Sequence, residues 1–248
     1  MKHLMILICV ITINIQTSMA QETQKDRFTT GQGELIINFV KHASLYFEFD
    51  GKVIHIDPVA RMGNYESYPD ADLIIITHHH GDHLDLNAIE SVRKENTKVI
   101  LTEKCKELSE NLSDYIIMKN GDVLTINGLE IEAVPAYNIE HKRPNGDPFH
   151  MKGEGNGYII TFAEKRIYIA GDTENTDEMK LLKNIDIVFL PMNLPYTMTP
   201  EMVADAAKSF RPKVLYPYHY GDTDTSILVE LLKKESGIEV RIRKMELQ

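Results

Sequence analysis

Four potential metal ligands lie within six residues of this chain. His78, His80, Asp82 and His83 form an H-x-H-x-D-H pattern, and alternate side chains of an extended segment point to the same face. Gly81 lets the chain turn and bring His83 in beside the others. Imidazole nitrogen suits zinc and other late first-row ions, and a carboxylate can complete or bridge such a site. The pattern predicts a site for one or two metals. A solvated histidine-rich loop is disfavoured, because an apolar run typical of a buried strand leads directly into it.

Two later segments have the same form, an apolar run that ends near a polar residue. The run 167–170 leads to Asp172, and the run 214–218 leads to His219. Each pattern alone is weak, since a strand-terminal aspartate is usually a turn former or a cap, and a lone histidine is more often a core residue. In this order and at these separations, the three segments resemble the metallo-β-lactamase superfamily. The resemblance extends from about Gly33 to His219 and implies a centre of one or two metals.

The N-terminal part indicates a branch of that superfamily. Residues 40–44 and a run ending at Asp57 look like the opening hairpin of ascorbate-6-phosphate lactonase, bacterial metal-dependent hydrolases and N-acyl-phosphatidylethanolamine phospholipase D. By this resemblance, His42 and Asp57 lie near the metals without binding them.

The chain departs from the superfamily pattern at Asn138, where a further histidine is expected after the strand at 129–134. An amide is a poor zinc ligand beside imidazole. His150, in a glycine-rich loop, is the favoured replacement. His141, Asn138 itself or a site with three protein ligands remain alternatives. Lys152, in the same loop, is either a contact for an anionic substrate or a solvated lysine.

The resemblance implies one ion bound by His78 and His80 with the replacement ligand, and a second bound by Asp82, His83 and His219, with Asp172 between them. The predicted metal ligands are therefore His78, His80, Asp82, His83, His150, Asp172 and His219. Asp82 and His83 are the implied catalytic residues, with Asp82 a proton shuttle if only one metal is bound. Zinc is the favoured cofactor, with manganese, iron or nickel as alternatives. The nearby Glu174 and Asp177 read as a helix start rather than as chemistry.

Periodicity predicts an α/β (α+β) protein with strands in two groups, which fits the four-layer αββα sandwich that the resemblance implies. The predicted strands are 34–40, 44–49, 52–57, 72–77, 98–101, 123–126, 129–134, 157–162, 166–170, 185–190, 214–217 and 239–243. The predicted helices are 86–95, 104–112, 178–182, 200–210 and 224–234, with Thr199 and Pro200 as the cap and first residue of the fourth.

The first twenty residues read as a cleaved signal peptide. Lys2 precedes a twelve-residue apolar run at 4–15, and residues 18–20 are a small-residue cleavage site before Gln21. The run is shorter than the about 20 residues that span a bilayer, so export to the periplasm or medium is favoured over anchoring. Residues 21–248 are then one domain, in which Cys105 has no disulfide partner.

Charge and motif together limit the function. The chain of 248 residues has a formal net charge of −10, which argues against nucleic acid as a partner. We expect an exported hydrolase in which a metal-activated hydroxide attacks a small ester, lactone or phosphodiester. The alternatives are a phospholipase D-like lipid hydrolase, which would contact membranes, and a metal-binding protein without turnover.

Overall fold

Two seven-stranded sheets make up the core of the computed structural model, which describes residues 24–245. The first sheet contains β1 (Gln24–Thr30), β2 (Gly33–Lys41), β3 (Ser44–Phe49), β4 (Lys52–Ile56), β5 (Ala71–Ile75), β6 (Arg93–Leu101) and β7 (Tyr115–Ile117), in that order. The second contains β8 (Val123–Ile126), β9 (Leu129–Ala136), β10 (Gly155–Phe162), β11 (Lys165–Ile169), β12 (Ile187–Pro191), β13 (Val214–Tyr218) and β14 (Glu239–Val240), also in chain order.

Both sheets follow the same plan, an antiparallel half followed by a parallel half. Strands β1 to β4 pair antiparallel and β4 to β7 parallel. Likewise, β8 to β11 are antiparallel and β11 to β14 parallel. The carboxyl ends of neighbouring parallel strands meet at one edge of a sheet. The loops after β5, β11 and β13 carry the three predicted site segments.

The two sheets pack face to face through aromatic side chains. Phe47 of β3 lies 5.2 Å from Phe162 of β10, and Phe39 of β2 lies 5.1 Å from Tyr216 of β13, measured between ring centroids. All four rings are buried or nearly so, and their contacts help to hold the sheets together through the hydrophobic effect.

Within residues 24–245, five α-helices lie outside the sheets: α1 (Leu86–Val92), α2 (Glu103–Glu107), α3 (Asp177–Lys180), α4 (Pro200–Phe210) and α5 (Thr225–Leu232). Two short 3-10 helices, Ala60–Met62 and Tyr65–Ser67, precede β5. A second apolar cluster, including Ile89 and Cys105, packs α1 and α2 on the first sheet. Phe210 of α4 packs on Tyr168 of the second sheet. Within the described part of the chain, no helix is both long and apolar enough to cross a membrane.

The predicted fold class is confirmed, since the chain is a mixed α/β protein of two sheets with flanking helices. Helix α4 has the predicted bounds because Thr199 caps it by accepting from the Met202 amide and Pro200 occupies its first turn. The strands β1 and β7 were not predicted. The signal peptide at 1–20 lies outside the described residues, and cleavage and a single domain at 21–248 stay predictions.

Several predicted bounds are wrong where tertiary pairing overrides local preference. Helix α1 ends at Val92 rather than at residue 95, because Arg93 already pairs with Ala71 as the start of β6. The sequence there favours a helix, but the extended backbone gains ladder hydrogen bonds with β5. Strand β5 ends at Ile75, two residues earlier than predicted, and α2 ends at Glu107 rather than at 112.

Candidate metal centre

Three imidazoles converge on the first potential metal position. The loop after β5 supplies His78 and His80, and the loop between β9 and β10 supplies His150. His80 Nδ1 lies 3.1 Å from His78 Nε2 and 3.1 Å from His150 Nε2. Ligand atoms around a tetrahedral zinc with bonds of about 2.0 to 2.1 Å are separated by roughly 3.3 Å. The spacing of these three nitrogens is therefore suited to one ion.

A second group lies directly beside the first. It contains Asp82 and His83 from the loop after β5 and His219 from the end of β13. His219 Nε2 is 3.5 Å from Asp82 Oδ2, and His83 Nε2 is 3.9 Å from the same oxygen. The predicted residues of this group are thus brought together as well.

Asp172 lies between the two groups. Its Oδ2 is 3.3 Å from His150 Nε2 and 3.4 Å from His219 Nε2, while its Oδ1 is 3.4 Å from His83 Nε2. Gly171 makes this approach possible: its φ is +65°, and a Cβ there would lie 2.9 Å from the Asn156 carbonyl oxygen. A single carboxylate therefore faces both candidate positions.

The donor set suits divalent metals. Among the described residues, the buried atoms without a hydrogen-bond partner include His83 Nε2, His219 Nε2 and Asp172 Oδ1, and all three face this cluster. Leaving such atoms unsatisfied costs about 1 to 3 kcal/mol each. Burial and the neighbouring imidazoles lower the pKa of His78 well below its usual range and that of His80 to about 4. Neutral imidazoles with converging lone pairs are the form that binds a metal.

Asp57 supports the second group from behind. Its Oδ2 accepts from His83 Nδ1 at 2.8 Å and from the Thr77 hydroxyl at 2.7 Å, and its Oδ1 accepts from the Thr77 amide. The Thr77 hydroxyl in turn lies 3.1 Å from His78 Nδ1. Because the Nδ1 of each ring is engaged, the Nε2 atoms of His78 and His83 are left to face the centre.

Asn138 supports the first group instead of joining it. Its Oδ1 accepts from the His150 amide at 2.8 Å and from His150 Nδ1 at 2.7 Å. His150 Nε2 is thereby directed towards His80 and Asp172. His141, the alternative ligand, is elsewhere: its Nδ1 lies 2.7 Å from Glu174 Oε1, and it belongs to none of the clusters.

Glu174 has a part that sequence reasoning missed. The expectation that it begins a helix is wrong, since Thr176 caps α3 and Glu174 lies before it. Its fully buried carboxylate accepts from Asn138 Nδ2 and His141 Nδ1 and from the backbone amides of residues 139, 140 and 141. Burial opposes its charge, but the Asn138 amide and these backbone donors lower the pKa of Glu174. No local signal reveals this role, because the partners are more than thirty residues earlier in the chain.

His42 also lies against the second group. Its Nε2 is 3.1 Å from Asp82 Oδ2, and its ring packs against that of His219 at a tilt of 40°, with centroids 3.7 Å apart. Burial lowers the pKa of His42, so the neutral ring can donate one hydrogen bond to Asp82. His42, Asp57 and His219 all have positive φ, at 57°, 43° and 47°. Such conformations are unfavourable for non-glycine residues and are concentrated at functional sites.

The cluster is open on one side. His78, His83, His150, Asp172 and His219 are each at most 7% exposed, whereas His80 is only partly buried and the Asp82 side chain is 29% exposed. Solvent and substrate therefore reach the centre from the side of His80 and Asp82.

Comparison with known proteins places this arrangement in a family. Residues 36–219 match the Beta-lactamase superfamily domain. A UPF0173 metal-dependent hydrolase of Thermococcus kodakarensis is 33% identical over 195 residues, which is 74% of this chain and 84% of that protein. A presumed metal-dependent hydrolase of Parabacteroides distasonis has a crystal structure with a TM-score of 0.84 and 49% identity, covering 90% of this chain and 99% of that one.

A second solved structure, with lower sequence identity to this chain, is also similar to it. A metallo hydrolase of the archaeon Ignicoccus hospitalis is 25% identical with a TM-score of 0.69, covering 85% of this chain and 95% of its own. The family model spans the residues from β2 to His219, and the three relatives named above are described as metal-dependent or metallo hydrolases. This chain belongs to the metallo-β-lactamase superfamily and is one of its metal-dependent hydrolases.

Proposed function

We propose that the chain hydrolyses a small ester, lactone or phosphodiester at a two-metal centre. The observation that carries this proposal is Asp172, a buried carboxylate within 3.4 Å of imidazoles from both ligand groups. His78, His80 and His150 would hold one ion, and Asp82, His83 and His219 would hold the other. Asp172 is placed to contribute to both positions. Zinc is the proposed metal, because histidine-rich donor sets with carboxylates suit it.

Metal ions bound here would polarise the scissile group and lower the pKa of a water molecule to about 7. The protein supplies the orientation. Asp57 keeps the Nε2 of His83 directed inward, and Asn138 does the same for His150. Asp82 lies on the open side and is held by the His42 hydrogen bond. It would serve as a ligand of the second ion, and it would be free to take up a proton during attack if only one metal were bound.

A metal titration tests the centre. Purified protein should bind up to two zinc ions per chain, and chelation should abolish hydrolysis of aryl esters, lactones or bis(aryl) phosphates. Combined replacement of His78 and His80 by alanine should remove one ion. His79→Ala is a matched control, since His79 lies between them in the chain but belongs to none of the ligand clusters. Protein that binds no zinc would refute the proposal, and metal binding without turnover of any substrate would indicate a binding protein.

We further propose that the chain is exported, on the basis of its N-terminal basic residue, apolar run and small-residue site. N-terminal sequencing of protein from its native host should find Gln21 as the first residue. Recovery of intact Met1 in the cytoplasmic fraction would contradict export.

A further inference from the structure

Four exposed apolar side chains lie in the loop that carries His150 or in the segment that contacts it. Ile139, Met151, Leu194 and Tyr196, here called the apolar rim, are between 42% and 48% exposed. Ile139 follows Asn138 in the chain and Met151 follows His150. Exposed apolar residues are normal when scattered, but a group beside a reaction centre marks a binding surface.

The rim has two parts, Ile139 with Met151 and Leu194 with Tyr196, and contacts of Tyr196 with the neighbours of the first part join them. Asn138 Nδ2 donates to the Tyr196 carbonyl oxygen at 2.9 Å, and the ring of Tyr196 packs edge-on against Phe149 with centroids 5.1 Å apart. The segment that contains Leu194 and Tyr196 is thus held against Asn138 and Phe149, which directly precede Ile139 and His150 in the chain. Tyr196 of the rim therefore contacts the residue that orients His150 and the residue that precedes His150 in the chain.

Two cations of the loop that carries Ile139 and Met151 already have partners within the protein. Lys152, the cation nearest His150 in the chain, has its Nζ 2.6 Å from Glu178 Oε1 and 4.7 Å from the centre of the Tyr137 ring. Arg143 donates to the Phe149 carbonyl oxygen and lies over the Phe149 ring. Glu140, beside Ile139, is exposed and negative. Of the three lysine and arginine side chains in the loop between β9 and β10, Lys152 and Arg143 are engaged within the protein, and Lys142 is exposed.

We propose that the apolar rim binds an uncharged aliphatic or aryl acyl group, so that the substrate is a carboxylic ester or lactone rather than a phosphodiester. This inference rests on the proposed hydrolytic function and narrows its substrate class. Hydrolysis breaks the acyl carbon–oxygen bond: water supplies the hydroxyl of the acid product, and its other proton goes to the alcohol that leaves. Affinity should rise with acyl length, because each added methylene leaves water for the rim.

Alkyl hydroxamic acids of two to eight carbons test this without requiring turnover. Their dissociation constants for the zinc-loaded protein, measured by calorimetry, should fall roughly twofold per added methylene, about half the ratio expected for complete burial, because the rim stays partly open to solvent. p-Nitrophenyl esters of the same lengths should show the same trend in kcat/KM, and bis(p-nitrophenyl) phosphate should be the poorer substrate.

Rim variants provide the control. The double variant Met151→Gln with Leu194→Gln keeps side-chain volume but adds polarity, and it should flatten the dependence on chain length while leaving zinc content unchanged. Leu231→Gln is the matched control on α5, where Leu231 is 37% exposed and outside the rim. It should keep the wild-type slope.

The failures are distinguishable. If the dissociation constants do not change with chain length in wild-type protein that still hydrolyses esters, the proposed role of the rim is wrong and the proposed function is unaffected. A steep series without hydrolysis of any ester, lactone or phosphodiester supports the rim as a binding surface and refutes the proposed function. A steep series with a phosphodiester as the better substrate overturns the inference and leaves the proposed function in place. A flat series together with binding to phosphatidylcholine vesicles that Leu194→Gln abolishes would make the rim a membrane contact and overturn the inference.

Discussion

Asn138 Oδ1 accepts a hydrogen bond from His150 Nδ1 at 2.7 Å, and this contact directs His150 Nε2 towards His80. The residue that stands in place of an expected histidine thus holds a histidine supplied twelve positions later. With the imidazole supplied from position 150 instead of position 138, three imidazoles still converge on the first candidate metal position.

The first prediction concerns that histidine. His150→Ala should weaken one metal site about 10 to 100-fold or more, since its Nε2 is one of three nitrogens converging there. Competition with a chromophoric chelator measures the change. His141→Ala is the control, because His141 contacts Glu174 and no cluster atom, and both sites should stay intact. Loss of a site in His141→Ala but not in His150→Ala would reverse the assignment.

The second prediction concerns Asn138. Asn138→Leu removes the acceptor for His150 Nδ1, so the ring loses its orientation and the first site should weaken about tenfold. Asn138→Asp keeps an acceptor but puts a carboxylate where Glu174 Oε1 is 3.0 Å from Nδ2. Asn138→Asp should have a lower melting temperature than wild type. The double variant with Glu174→Gln, whose amide can donate to the new carboxylate, should recover much of that decrease in melting temperature. An unchanged melting temperature in Asn138→Asp would contradict this contact.

The third prediction links Asp57 to proton release. Burial opposes protonation of His83, but Asp172 and Asp57 outweigh it and raise the His83 pKa well above its usual value. Without metal, His83 is therefore protonated at neutral pH, and binding at the second site must displace that proton, so affinity should rise with pH. Asp57→Asn should lower the His83 pKa and reduce the protons released. Calorimetry in two buffers of different ionisation enthalpy counts them, and equal release in both proteins would count against the Asp57 contact.

The fourth prediction concerns stability and pH. Asp26 of β1 accepts from Arg243 Nη2 at 2.6 and 2.7 Å and contacts Tyr216 and Arg241. Burial opposes its charge, but Arg243, Tyr216 and Arg241 lower the pKa of Asp26 below 3.8. A lowered carboxyl pKa stabilises the fold above the unfolded value of about 3.9, and that stability is lost as pH falls through the folded value.

Asp26→Asn should therefore lower the free energy of unfolding by about 2 kcal/mol at pH 7, through loss of a partly buried ion pair. The difference from wild type should begin to shrink below about pH 4, where Asp26 of the unfolded chain becomes protonated, and it should vanish once the pH falls through the lowered folded pKa of Asp26. Urea unfolding at pH 7 and at a pH below about 4 measures the difference in the free energy of unfolding. A difference that stays constant with pH would mean that the charge of Asp26 does not contribute.

Local patterns in the sequence were sufficient for the elements that depend on near neighbours. Thr199 and Pro200 start α4 as predicted, because capping is decided within one turn. The cluster from His78 to His83 could be recognised as a potential metal site for the same reason: its spacing and its glycine act over six residues. The fold class followed from apolar runs and from the order of three motifs.

Only the tertiary structure decided the rest. Arg93 extends β6 because β5 offers it a partner, whereas the local sequence favours a helix. The placement of His150 beside His80, 70 residues earlier, and of Glu174 beneath Asn138, 36 residues earlier, depends on how two loops pack at the edges of two sheets. The physical reason is that a side chain's partners across the chain are set by strand order and burial. Residue type alone identifies which ligands a side chain can bind, whereas the fold decides which other side chains it contacts.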